Sequence, residues 1–383
     1  MRVGVVPFMQ NYGDWPRWRA GEFGPGPAEP DWRIVEDDLR LVDLVEPLGF
    51  DALWSIEHHF TPYTMVPDPL QFLAWCAART KRVALGTCVI VLPWHDPVRV
   101  AEQLAMLDIL AGGRPLVIGF GRGAGRREFE GFGVPMSEAR ERFSEALEVV
   151  RLALSRERFS FEGKHYRIPE TGIRPRPRTP DLPSRMYAAA VSPSSIEIMA
   201  SAGLGMLVIP QKTWEEHAQD LATFNDVRAR RGLAPVRSKV IVFVYCSESA
   251  ADGEAVGMEY IGNYQDTAYW HYELDEPDHF HAAQGYEYYA RGADVLKQLG
   301  ATGQTLARDH FARAHVFGTP EQCLDKLQSI QRMTDADEFI CVFRCGGMPV
   351  AIAEASMRLF ADRVLPALRG LEPRGAAAAP SAR

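Results

Sequence analysis

No run in this chain of 383 residues approaches the roughly 20 consecutive apolar residues of a membrane span. Its six cysteines include no CxxC pair, and no cluster shows the usual spacing of zinc ligands. Cys88, Cys246 and Cys341 sit in apolar runs, so the cysteines read as reduced thiols of a cytoplasmic protein. Positive charge is not in excess either. The 42 basic residues stand against 50 acidic ones, a net charge of −8 that argues against non-specific binding to nucleic acid or an anionic membrane. The start, Met1–Phe8, has too short an apolar stretch for a signal peptide and reads as a first strand. No internal repeat is visible.

What remains is a globular composition: 46% hydrophobic and 24% charged residues, enough to bury a large core. Strand-like and helix-like segments alternate. Apolar runs at 2–8, 50–56, 82–92, 114–119, 186–191, 204–210, 238–246 and 337–344 read as strands, and that through Val83–Val91 reads as one buried on both faces. Helical periodicity follows them, for instance at 31–48, 69–79, 97–111, 137–155 (with Ser137 as N-cap) and 214–231. Eight such units in order predict an α/β fold, a closed (β/α)8 TIM barrel. Two stretches break the rhythm. Residues 157–185 read as a hairpin and a proline-rich extended insertion, and residues 250–315 as an irregular, aromatic-rich insertion. The expected organisation is one domain over 1–370 and a disordered tail over 371–383.

In a barrel, residues just after each strand share one rim, where such folds place their chemistry. Phe8 follows the first strand. Glu57, His58 and His59 follow the second. Cys88, Val89 and Trp94 belong to the third, and Phe120–Arg127, with three arginines and three glycines, to the fourth. Val191, Ser192, Ser194 and Ser195 open the helix after the fifth. Hydroxyls at a helix N-terminus make an anion site, although one of them is explained by capping alone. The Gly121–Arg127 loop suits a phosphate, or is a surface loop with solvated arginines. A metal at Glu57–His59 would need further ligands. Asp278, His279 and His281 offer them with nothing to fix their distance, so no metal is assigned. One imidazole turned to the pocket for proton transfer is the preferred reading.

Several motifs in order carry a resemblance: Trp54–Thr61, Leu85–Pro93, His95–Glu102, Gly119–Gly123, Gly318–Gln322 and Gly346–Pro349. With these the chain resembles the bacterial luciferase-like flavin monooxygenases over about residues 1–370, most strongly over 50–155. The resemblance implies a barrel that binds reduced FMN (FMNH2) at its carboxyl-end rim and uses O2 through a C4a-peroxyflavin. It makes His58 the catalytic histidine and Arg122 a phosphate ligand, with Ser192 and Ser195 beside the phosphate. Cys88–Val89 falls where the family often has a non-prolyl cis peptide under the ring. Gly121 stands where light-emitting members have cysteine, and Val191 where they have an acidic residue, which points away from luminescence.

The expected function is therefore a two-component FMN-dependent monooxygenase. A separate NAD(P)H:flavin reductase would supply the FMNH2, since no nicotinamide-binding unit is read in the chain. Residues 250–315 are expected to form a helical lid. Tyr264 and Tyr286 from that region, with Phe8, Tyr63 and Trp94, would bind a bulky apolar or aromatic organic substrate. Ordinary helix packing is the other account of these aromatics. A homodimer is expected by resemblance. An F420-dependent hydride-transfer oxidoreductase and a non-catalytic flavin-binding barrel are the alternatives.

Overall fold

A computed structural model describes residues 1–22, 24 and 26–371. Its barrel strands are β1 (Arg2–Val5), β2 (Ala52–Ser55), β3 (Ala84–Val91), β4 (Leu116–Gly121), β5 (Met186–Ala189), β6 (Gly205–Val208), β7 (Ser238–Cys246) and β8 (Ala336–Val342), and a short strand Val316–Gly318 pairs alongside the end of β7. Each pairs in parallel with the next, and β8 returns to β1, with Val3 opposite Phe339 and Val5 opposite Cys341. The barrel is closed, so no edge is left unpaired. All nine residues of β7 are buried, as expected of a strand covered on both faces.

The strands are shorter than the apolar runs that announce them. Val6–Gln10 and Ile56–Glu57 are buried yet leave the ladder, because there the chain turns into rim loops. Four helix starts repeat one device: an Asp, Ser or Thr cap followed by proline. Asp68 caps α2 (Pro69–Arg79), accepting from Leu70 and Gln71 N–H. Asp96 caps α3 (Pro97–Leu110) through Val98 and Arg99 N–H. Ser192 caps α5 (Pro193–Ser201), and Thr319 caps α7 (Pro320–Thr334) in a full capping box. Proline fits the first helical position because its missing N–H would be unpaired there anyway. The other barrel helices are α1 (Asp31–Val45), α4 (Ala139–Ser155), α6 (Trp214–Arg230) and α8 (Val350–Arg363). Ser137 does not cap α4; it lies in a 3-10 turn, Met136–Glu138, and Glu138 occupies the cap position.

The Phe159–Glu162 and Arg167–Thr171 strands form the expected antiparallel hairpin. The region 250–315 is not irregular. Helices Ala250–His271 and Glu287–Ala314 pack on each other, the second kinked at Gly300, where φ is +55°. The alternation fails to show this because both helices bury small residues (Gly253, Gly257, Gly262, Ala290, Ala293) in place of an aliphatic stripe. The expected tail lies outside the described residues apart from Leu371.

Inside the barrel, Trp54 on β2 is fully buried and donates its indole N–H to Glu338 Oε1 at 2.9 Å. Glu338 Oε2 also meets Lys239 Nζ at 3.2 Å. The indole has room only because its neighbours are glycines. A Cβ on Gly86, its partner across β3, would lie 2.5 Å from the ring, and one on Gly4 2.6 Å. Gly86→Ala should therefore overpack the barrel and cost about 1–3 kcal/mol, read as a lowered urea midpoint at unchanged slope.

Candidate active site

A cavity of about 640 Å³ opens among the carboxyl ends of the strands and the two insertion helices. Eleven of the thirteen residues given a catalytic, cofactor-binding or substrate-binding role from the sequence line it. Phe8, His58, Tyr63, Cys88, Val89 and Trp94 come from the first three strand ends. Gly121, Arg122, Val191 and Ser195 come from the next two, and Tyr264 from the helix Ala250–His271. Ser192 and Tyr286 are not lining residues. Ser192 is buried behind the helix start, its hydroxyl accepting from Ser195 N–H at 3.2 Å and meeting Ser195 Oγ at 2.8 Å. Tyr286 is fully buried, donates to Gly123 O at 2.8 Å and supports Arg122, whose guanidinium sits 4.1 Å above its ring centre. It stands behind Arg122, outside the cavity lining.

The bed of the cavity is irregular where β3 meets β4. The peptide between Cys88 and Val89 is cis, and the register shifts between Thr87 and Ile90. The hydroxyl of Thr87 takes over from the ladder, accepting from Gly119 N–H and donating to Gly119 O, both at 2.9 Å. Gly121 faces Val89 closely; a Cβ on it would come within 2.4 Å of a Val89 methyl. Any larger residue at 121 must displace Val89 from under the cavity.

The three residues after β2 divide into two systems. Glu57 is buried, and its carboxylate meets His59 Nε2 at 3.1 Å, His95 Nε2 at 2.7 Å and Val91 N–H at 2.8 Å. Burial works against its charge, but these contacts outweigh it and hold its pKa below the ordinary carboxylate value. Burial likewise opposes the charge of His95, yet Glu57 raises its pKa. His58 belongs to the second system. Its Nδ1 lies 3.0 Å from Oε1 of Glu128, on the short helix Arg126–Gly131 that follows β4. The same oxygen accepts from His59 N–H at 2.9 Å. Glu128 is buried too, and His271 and His58 overcome that desolvation and hold it well below the usual carboxylate range.

Around His58 stands an aromatic wall. Tyr63 packs edge-on at 4.9 Å between centres and His271 at 5.0 Å, while Tyr63 and His271 stack at 4.5 Å. The hydroxyls of Tyr63 and Tyr264 are hydrogen-bonded, and burial pushes the pKa values of Tyr63, Tyr264 and Tyr272 upward, so these are neutral phenols. Phe8, Phe243 and Tyr264 continue the wall, with Phe8 at 5.4 Å from Phe243 and Tyr264 at 4.3 Å.

Beside the cavity, behind Arg122 and Ser195, positive charge converges on the start of α5. Arg140 donates to Ser194 Oγ at 2.9 Å. Arg122 donates to Gly285 O at 2.9 Å. A Cβ on Gly285 would lie 2.9 Å from a nitrogen of each guanidinium, so both arginines crowd one glycine, itself at φ +90°. Arg122 and Ser195 line the cavity, and Arg140 with Ser194 stands directly behind them, an arrangement of two guanidiniums and hydroxyls at a helix start that suits a phosphate dianion.

Sequence reasoning missed Arg140, Gly285, Glu128 and His271. Arg140 and Glu128 lie on helices beyond the Gly121–Arg127 loop, and only the fold turns them back to the rim. His279 and His281, offered above as metal ligands, are engaged elsewhere, with Glu276 O at 2.7 Å and Asp294 at 3.0 Å. Among the described residues, the group with ligand-like spacing is instead His58, Glu128 and His271, whose donor atoms lie within 4.8 Å of one another. The 3.0 Å between His58 and Glu128 is also an ordinary hydrogen-bond length.

The family model described as luciferase-like monooxygenase matches residues 24–336. The alkanal monooxygenase alpha chain of Aliivibrio fischeri is 27% identical over 333 residues, covering 85% of this chain and 91% of that one. A monooxygenase of Streptomyces bottropensis superposes with a TM-score of 0.68 at 27% identity, covering 96% of this chain and all of that one. The oxygenating constituent of 3,6-diketocamphane monooxygenase from Pseudomonas putida, solved with FMN, has a TM-score of 0.72 at 17% identity, covering 96% of this chain and 98% of that one. The last of these, at such low identity, shows the shared fold alone.

Proposed function

The chain belongs to the luciferase-like monooxygenase family, and on that premise we propose that it is a flavin-dependent monooxygenase using reduced FMN and O2 to oxygenate a bulky apolar or aromatic substrate. The observation that carries this reading is one cavity holding a phosphate cradle, a cis-peptide bed and an imidazole against an aromatic wall. FMN, when bound, supplies the redox chemistry with O2 that no side chain can provide. Arg122, Arg140, Ser194, Ser195 and the start of α5 hold its phosphate. Cys88, Val89, Gly121 and the backbone of Val191 shape the bed for its ring. His58 holds or moves a proton at its Nε2, since Nδ1 is taken by Glu128. Phe8, Tyr63, Trp94, Tyr264 and Phe243 keep water out and receive the organic substrate.

The reduced cofactor comes from a separate NAD(P)H:flavin reductase, since the cavity's phosphate cradle is assigned to FMN. A cytoplasmic location accords with six free cysteines, all of them buried. A homodimer accords with the exposed apolar Met106, Ile109 and Leu110 on α3. No helix among the described residues is long and apolar enough to cross a membrane.

The test supplies FMNH2 or reduced F420 anaerobically, follows binding, then admits O2 with candidate aromatic substrates. Binding of FMNH2 and O2 uptake matched to oxygenated product is the expected result. Binding of reduced F420 alone, or of no flavin in either redox state, would overturn the reading.

A further inference from the structure

We propose that Glu128 and His271 are positioning residues for His58: together they fix the hydrogen on its Nδ1 and leave Nε2 free, and they do so only while the end of the lid helix is docked. The inference rests on the role given to His58 above and adds what controls it.

Glu128 arrives from 70 positions away in sequence, on the short helix after β4. Both of its oxygens are buried. Oε1 accepts from His59 N–H and meets His58 Nδ1. A carboxylate can only accept, so the hydrogen in that contact belongs to His58 Nδ1. His58 thereby acquires one defined tautomer, the way a buried acid orients a catalytic imidazole in general.

The other oxygen is the unusual one. Glu128 Oε2 makes no hydrogen bond among the described residues, and neither does the atom facing it, Nε2 of His271, 3.5 Å away. His271 is fully buried and is the last residue of the lid helix Ala250–His271. Its Nδ1 meets Thr61 Oγ1 at 2.8 Å. With the Thr61 hydroxyl donating to Nδ1, the ring's own hydrogen sits on Nε2 and points at Glu128. Two unpartnered polar atoms, facing each other half an ångström beyond a good bond, are joined by a small inward shift of the helix end.

The same helix end is anchored on the helix that carries Glu128. Glu273, two residues on, accepts from Arg126 Nε at 2.8 Å and lies 2.7 Å from Arg127 Nη2. Tyr272, between them, lines the cavity. Trp270, whose carbonyl accepts from Arg127 Nη1 at 3.2 Å, His271 and Glu273 thus report to Arg126–Gly131, and His271 reaches His58 through a single carboxylate. Occupation of the cavity beside Tyr272 is thereby coupled to the hold on His58.

The experiment starts with the unsubstituted protein without flavin. Nitrogen-15 histidine NMR is expected to show His58 with hydrogen on Nδ1. In Glu128→Ala that preference is lost, and in His271→Phe it weakens while FMN binding persists. In turnover, Glu128→Ala lowers kcat on the order of 10–100-fold with the KM for FMNH2 nearly unchanged. A wild-type spectrum with hydrogen on Nε2, an unchanged tautomer in Glu128→Ala, or a His58 signal that moves when a chelator is added would each overturn the proposal. The wild-type spectrum needs no variant to fold, and it can fail or succeed whether or not FMN proves to be the cofactor.

Discussion

His58→Ala is expected to abolish most product formation, lowering kcat on the order of 10²–10⁴-fold, while flavin binding is retained. The alanine protein should still consume O2 with FMNH2 but release hydrogen peroxide in place of oxygenated product. The neighbouring position supplies the control. The His59 side chain bonds Glu57 and packs edge-on against Phe132 at 4.6 Å, and only the backbone N–H of His59, which alanine keeps, meets Glu128. His59→Ala should therefore act mainly on stability, because it strips one partner from a buried carboxylate. Full coupling in His58→Ala, or a larger loss of coupling in His59→Ala, would remove His58 from the chemistry.

Arg122→Ala is expected to weaken FMN binding on the order of 10²-fold, about 3 kcal/mol, in line with truncating a half-buried charge that pairs with phosphate. Arg140→Ala should act in the same direction and less strongly, since Arg122 lines the cavity and Arg140 stands behind it. Isothermal titration with FMN and with riboflavin separates the effects. The loss should appear with FMN and vanish with riboflavin, which has no phosphate. An equal loss with both ligands would assign the arginines to general folding of the rim. Gly285→Ala should mimic the double loss, because its methyl would enter the space of both guanidiniums and its backbone sits at positive φ.

The barrel was legible because each of its strands is a continuous apolar run followed by a helix signal, and the rim residues were legible because they follow those runs directly. His58, Arg122 and Ser195 could be placed on one face from strand order alone. Glu128 and His271 could not. One lies on a six-residue helix and the other at the end of a helix in an insertion, and 143 positions separate them, so no local pattern links them. The place of Tyr286 behind Arg122 was illegible for a related reason. Aromatics in the insertion serve two tasks, lining the cavity and backing Arg122, and composition does not tell them apart. Thr87 escaped notice because its work, replacing a ladder bond at the Cys88–Val89 step, shows only once β3 and β4 are paired.

The tryptophan wedged between Gly4 and Gly86 has a consequence for traffic. With Trp54, Lys239 and Glu338 filling the interior below the site, the barrel is a cup and not a tube. On the function proposed above, flavin and organic substrate would both enter at the carboxyl-end rim, where Tyr272, just past the helix Ala250–His271, lines the cavity. A product seated above the flavin would then have to clear before spent flavin could exchange, so product release ahead of FMN is the expected order in product-inhibition kinetics.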